Sequence, residues 1–216
     1  VNRRPATLAL VGVCLLVAFV ALGLLVRQRP PALDAAIASG LHGQWRSPLG
    51  PAAGLLSDAF GPVLPAVLAV VLVLAALWRR AAGDGERASL LLRVTAVLVL
   101  CRATSFVFKP LFARDRPREY PDLSYPSGHV VSVASVGFAL VLLCGWLVPH
   151  VLRTVIALAV LATLISAAFR VYLGVHWLTD TVGAVLVVTG VGLLVSACLG
   201  LLSAKRDPVS ARRGTA

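Results

Sequence analysis

Two histidines stand in a basic frame in the second half of this chain. The frame reads Lys109, six residues, Arg116-Pro117; then Pro126-Ser127-Gly128-His129; then Arg170, five residues, His176, three residues, Asp180. A phosphoryl group in transfer spreads negative charge over its equatorial oxygens, so catalysis consists of positioning and of cations aimed at those oxygens. Lys109, Arg116 and Arg170 are candidates for those cations. His176 and Asp180, four residues apart, are neighbours about 5–6 Å apart on one helix face. With His129 as a second imidazole, these residues make a complete set for phosphoryl transfer. No group of His, Asp, Glu or Cys has metal-site spacing, so neither a metal nor another cofactor is expected.

Each position has its own chemical argument. The chain holds 18 arginines and two lysines; a lysine at 109 in so Arg-biased a sequence points to a need for a compact ammonium instead of a planar fork. Ser127 directly precedes an apolar run and reads as the N-cap of a helix. Such a helix start offers free N–H groups and a positive dipole end to an anion, Gly128 lets a phosphate approach the backbone, and His129 points into the same space. Asp180 lies just inside an apolar segment, where burying a charge costs about 2.5–3.5 kcal/mol. It needs a partner, and His176 is nearest; the carboxylate would fix the imidazole tautomer and leave the other ring nitrogen free.

The elements that must hold these residues are apolar helices. The 216 residues are 59% hydrophobic and 13% charged, with mean hydropathy +0.91, beyond the about 45–50% apolar share of soluble domains. Crossing the hydrocarbon takes about 20 apolar residues. Six stretches qualify, at about 6–26, 61–78, 90–108, 129–147, 151–169 and 178–202. The expected fold is all-α: an integral membrane bundle of six transmembrane helices, with a short interfacial helix between spans 1 and 2. That helix is signalled by Leu33, Ile37 and Leu41 at helical spacing beside Asp34. Residues 1–204 form one membrane domain on this reading, and 205–216 a basic, disordered tail. The first span is expected to be retained, because its apolar core is longer than a signal peptide's and lacks a convincing cleavage site.

A net charge of +11 would suggest nucleic acid in a soluble chain. Here the arginines cluster at span ends, as topology signals and anionic-lipid contacts do, so no nucleic-acid partner is expected. Cys14, Cys101, Cys144 and Cys198 fall in different spans without CxxC spacing and read as small hydrophobes. With the N-terminus in the cytoplasm, ten Lys and Arg lie inside and eight outside; setting aside the motif residues Lys109, Arg116 and Arg170 leaves ten against five. That bias predicts cytoplasmic termini and places all three motifs on the extracytoplasmic face.

The three motifs, in this order, closely resemble the type 2 phosphatidic acid phosphatase family, also called lipid phosphate phosphatases. That family shares its catalytic core with vanadium-dependent haloperoxidases and glucose-6-phosphatase. The resemblance covers roughly Arg102 to Val182, and the hydrophobic layout is that of a six-helix bacterial member. One departure is Phe169, where many members carry a serine before the third-motif arginine. The resemblance implies a metal-independent phosphatase in which His176 attacks phosphorus and forms a phosphohistidine, Asp180 supports it and His129 protonates the leaving oxygen. Lys109, Arg116, Ser127, Gly128 and Arg170 would bind the phosphate. The substrate would be a membrane lipid phosphomonoester or diphosphate, of the phosphatidate, phosphatidylglycerol phosphate or polyprenyl diphosphate type, and the sequence does not choose among them.

Two other readings use different features. A lipid phosphotransferase would use the same residues with an alcohol as acceptor. A non-catalytic transporter or lipid-binding protein would favour paired, broken spans, which the sequence does not show. Among the remaining charges, Arg102 either supports the site from behind or snorkels or pairs with an acid, and Arg114 and Arg118 either contact an anionic headgroup or, the favoured reading, are solvated interface charges. Trp78, Trp146 and Trp177 read as interfacial belt residues. His42 and His150 have no partners at useful spacing, and no protein partner is indicated.

Overall fold

The computed structural model describes residues 4–202; the tail expected at 205–216 lies outside them. Helix α1 (Arg4–Val26) is followed by two short helices, α2 (Ala32–Gly40) and α3 (Gly50–Ala59), with a 3-10 turn at Gln44–Arg46 between them. Long helices α4 (Val63–Ala81), α5 (Gly85–Phe112), α6 (Gly128–Leu147), α7 (Leu152–Tyr172) and α8 (Leu178–Cys198) complete the chain. Six helical segments, the second of them α3 and α4 taken together, are long and apolar enough to cross a membrane. The protein is an all-helical, multi-pass membrane protein. A helix satisfies every backbone group internally, which hydrocarbon demands.

Chain order makes successive crossings alternate in direction. The end of α1, the start of α4, the end of α5, the start of α6, the end of α7 and the start of α8 therefore share one face, which also carries α2, α3 and the 113–127 loop. Every motif residue lies at that face. The interior is built chiefly by α5, α6 and α8: Val94, Val97, Leu98, Val130, Val131, Ala139, Ala184 and Val187 are fully enclosed. Leu10, Leu25, Leu74, Leu158 and Leu164 face outward; an apolar exterior of this extent suits lipid as solvent. Between α1 and α8 the backbones come close, since a Cβ on Gly12 would stand 2.9 Å from the Gly190 carbonyl oxygen. Small residues permit that approach in membrane bundles. Cys101 and Cys144 are buried, Cys14 and Cys198 exposed, and all four are free thiols.

Two element boundaries differ from the sequence reading. The third span is longer than 90–108 at both ends. At its start Asp84 caps the helix, accepting from the Arg87 amide at 3.1 Å; at its other end the helix runs through Lys109 and Pro110 to Phe112. The proline costs little there because it sits in the last turn, and Ala113 then ends the helix in a left-handed conformation (φ 48°). The connection between the first two spans holds two helices where one was expected. Helix α3 was hidden by its Gly and Pro content, although Pro51 stands in its first turn, where its missing N–H is harmless.

An aromatic cluster fastens the 113–127 loop to the bundle. Tyr125 is fully buried, stacked on Phe19 at 5.1 Å and edge-on to Phe112 at 5.0 Å between ring centroids. Its hydroxyl donates to the Phe19 carbonyl oxygen at 2.7 Å. Gly183 makes room for it, since a Cβ there would overlap the Tyr125 ring. This anchor stands directly before Pro126-Ser127-Gly128-His129 and fixes where that motif enters α6.

Candidate active site

His176 lies in the turn between α7 and α8 and Asp180 in the first turn of α8, so the two do not share a helix face as the four-residue spacing suggested, although they still meet. His176 is 2% exposed and Asp180 fully buried, with Nδ1 of the histidine 3.2 Å from Oδ2 of the aspartate. A carboxylate can only accept, so Nδ1 carries the proton and Nε2 keeps its lone pair. Arg116 donates from Nη1 to that Nε2 at 3.1 Å and to the Val175 carbonyl at 2.7 Å. Burial pushes the His176 imidazole down to about 3, with Arg116 and Arg170 acting the same way and Asp180 opposing them. The ring is neutral at pH 7.

Asp180 is the hub of a larger network than the sequence indicated. Besides His176 it accepts from the Trp177 amide at 2.8 Å, the Ser124 hydroxyl and Arg114 Nη1 at 2.6 Å. Arg114 also donates to Thr179 Oγ1 at 2.7 Å and to Asp34 Oδ2 at 2.8 Å. Asp34, 1% exposed, in turn accepts from the Thr179 amide and hydroxyl. This corrects the reading of Arg114 as a solvated charge: it is 2% exposed and stands between two buried carboxylates. It also shows how α2 is held, because Asp34 turns inward and ties α2 to the start of α8. Trp177 is likewise more than a belt residue, since it occupies the N-cap position of α8 and donates from Nε1 to the Asp115 carbonyl at 2.9 Å.

Nε2 of His176 faces a cavity of about 520 Å³ lined by Arg102, Lys109, Arg116, His129, Arg170 and Gly128, among others. Four cations and one acid, Asp122, line it, which makes it an anion site. Arg170 is 3% exposed and donates from Nη1 to Ser57 at 3.3 Å, while its Nε is buried without a partner. The Ser127 hydroxyl is also buried without a partner. Ser127 occupies the N-cap position of α6, yet its side chain caps nothing, contrary to the sequence reading. Its amide donates to the Asp180 carbonyl at 3.2 Å, which leaves the amides that follow, in the first turn of α6, for an anion. Buried polar atoms are rarely left unpaired; of the two, Arg170 lines the cavity, where a phosphate oxygen would satisfy it.

Two acids that sequence reasoning missed touch the site. Asp122 accepts from Lys109 Nζ and, at 3.3 Å, from Arg116 Nη2. Burial raises its carboxyl, but Lys109 and Arg116 outweigh that and hold it below the usual carboxylate range. Asp58, from α3, stands with Oδ1 3.1 Å from His129 Nε2. The available signal was scarcity: the chain has nine acids against 20 bases, and four of the nine reach this site or its supporting network. Arg118 is half-buried, with its guanidinium 4.5 Å from the Trp45 ring centroid, and so is not freely solvated. Among the described residues, no three His, Cys, Asp or Glu are grouped to hold a metal ion.

Helical membrane bundle and cation-ringed histidine cavity together define a membrane protein built for phosphoryl chemistry. The chain belongs to the PAP2 superfamily, whose sequence pattern matches residues 90–203. Its fold is similar to the crystal structure of a transmembrane PAP2 type phosphatidylglycerolphosphate phosphatase from Bacillus subtilis. The TM-score is 0.69 at 21% identity, covering 94% of this chain and 100% of that one. No curated protein matches the chain.

Proposed function

We propose that the protein is a lipid phosphatase that cleaves a terminal phosphoryl group from a membrane lipid through a phosphohistidine. The observation that carries this reading is the His176 Nε2 lone pair, set beside Arg116 on a cavity with Lys109, Arg170 and the start of α6. In the reaction, Nε2 of His176 forms a bond to phosphorus as the P–O bond to the lipid breaks. Lys109, Arg116, Arg170 and the α6 amides meet charge on the equatorial oxygens. Asp180 stabilises the imidazolium that forms, and His129 protonates the departing oxygen. His129 then takes a proton from water as that water attacks the phosphohistidine, releasing inorganic phosphate.

Residues 1–204 act as one catalytic unit on this reading. The termini lie in the cytoplasm and the cavity opens on the extracytoplasmic face, as the charge bias favours. Labelling of single cysteines introduced at 115–121 tests this; reaction only from the cytoplasmic side would invert the orientation. Charge stabilisation comes from side chains, so turnover survives EDTA.

The direct test is phosphate release by purified protein from a panel of lipid phosphates in detergent, with acid-labile label trapped on His176. Absence of release from every lipid would sink the reading. A phosphorylated alcohol, formed in place of phosphate when an acceptor is added, would make the enzyme a transferase.

A further inference from the structure

Arg102 is a charge inside a membrane span. It lies ten residues before the end of α5, a rise of about 15 Å, where a cation is costly and marks function or a pairing need. Among the described residues no carboxylate lies within ion-pair distance of it. Its Nη1 donates to Ser105 Oγ at 2.5 Å, and its guanidinium sits 4.2 Å from the Phe106 ring centroid. Neither neighbour neutralises it.

Its position explains what could. Arg102, Pro62 and Phe106 line both the 520 Å³ cavity and a second hollow of about 330 Å³ between α4 and α5. That second hollow is apolar, walled by Pro65, Ala69, Leu98 and Val99 among others; Val99 and Phe106 face outward. Along one face of α5 the order is therefore Lys109, Ser105, Arg102, then Leu98 and Val99, at helical steps of three and four. A lipid with its terminal phosphoryl at Lys109 and its tail in the groove passes its linking group over Ser105 and Arg102. Ser105 Oγ and Lys109 Nζ stand 3.9 and 4.0 Å from the point a Cβ on Gly128 would occupy. The two cation sites are thus adjacent.

We infer that Arg102 and Ser105 form a second phosphate subsite, on the tail side of the scissile phosphoryl, so that the preferred substrate is a lipid carrying two phosphates. This inference rests on the phosphatase reading and names its substrate class. When His176 attacks the terminal phosphorus of a diphosphate, the bridging P–O bond breaks and its electron pair leaves on the lipid monophosphate. Arg102 meets that charge. Two lipids carry two phosphates: a prenyl diphosphate, whose leaving group is itself a phosphate, and phosphatidylglycerol phosphate, whose cleavage leaves a glycerol oxygen that His129 protonates while Arg102 meets the standing charge of the phosphodiester.

The experiment compares kcat/KM for farnesyl diphosphate against farnesyl monophosphate, and for phosphatidylglycerol phosphate against phosphatidate, in wild type, Arg102→Gln and Arg102→Lys. In at least one pair the two-phosphate lipid is preferred. Arg102→Gln then lowers its kcat/KM on the order of 10- to 100-fold, lowers that of the one-phosphate partner by a clearly smaller factor, so that the two-phosphate preference falls, and Arg102→Lys restores part of the loss. The pair that responds identifies the spacing of the phosphates. An unchanged thermal midpoint in detergent reports that the variant is folded; should Arg102→Gln not fold, Arg102→Lys alone must lower the two-phosphate preference. Equal damage to both members of each pair, or no two-phosphate preference in wild type, overturns the subsite while the phosphatase reading stands. No release from any of the four lipids overturns both.

Discussion

The two histidines of the site are held in opposite ways. His176 is buried, its Nδ1 bonded to a carboxylate that itself accepts from Ser124, the Trp177 amide and Arg114. His129 has one side-chain partner, Asp58, whose side chain is 74% exposed, and it lies beside the unpartnered Ser127 hydroxyl. On the proposed roles, the carboxylate side of the nucleophile is fully bonded before substrate arrives, with Arg116 still to release the Nε2 lone pair, while the leaving group's half is left open. A nucleophile gains from being held in one geometry, whereas a proton donor that serves first a leaving oxygen and then a water must reach two positions.

Breaking the finished half should cost most. His176→Ala removes the attacking atom and should lower turnover on the order of 10⁴-fold or more, with no phosphoenzyme in acid-sensitive trapping. Surviving label would place the nucleophile elsewhere. Next comes Arg114→Ala, which leaves the buried carboxylates of Asp34 and Asp180 without the guanidinium between them and should destabilise the protein by about 3–5 kcal/mol. Thermal denaturation in detergent measures this, and an unchanged midpoint would mean that the network is ornamental.

The open half should respond more selectively. His129→Ala should slow phosphoenzyme formation from a lipid alkoxide leaving group by about 10²–10⁴-fold, and far less from p-nitrophenyl phosphate, whose leaving group departs without a proton. Equal slowing would deny His129 its role as acid. Asp58→Asn loses a single exposed contact and should change kcat only a few-fold, about 1 kcal/mol or less; a loss as large as that of His129→Ala would show that the open half is as tightly built as the other.

The smallest effect concerns pH. The His176 value of about 3 lies below the ordinary 6.5 of an imidazole. Between those two values the unfolded chain takes up a proton that the folded site refuses, so stability falls as pH drops through that window. The folded His176 ring stays neutral throughout it. In a His129→Ala background, the rate of phosphoenzyme formation at saturating substrate should show no inflection near pH 6.5; an inflection there would mean that His176 is less enclosed than its neighbours imply.

Much of this was legible along the chain. The six apolar stretches, the spacing of Lys109, Arg116, His129, Arg170, His176 and Asp180, and the placement of all of them at one face follow from hydropathy and motif order. Less visible were the acids. Asp34 and Asp58 lie in a Pro- and Gly-rich connection, and Asp122 in a loop; their partners are 80, 71 and 13 residues away in sequence. Arg114 read as a solvated charge because nothing near it in sequence pairs with it.

Local periodicity and residue chemistry, then, determined that this is an all-helical membrane protein with a phosphoryl-transfer set at one end. Hydrocarbon allows few ways to arrange an apolar segment, so length and composition suffice for that. What tertiary structure alone decided is which charges are neutralised. Arg114 is enclosed by Asp34 and Asp180, Lys109 and Arg116 are shared with Asp122, and Arg102 is left facing the junction of cavity and groove. Pairing of buried charge depends on where distant backbone segments meet, and no spacing along a helix records that.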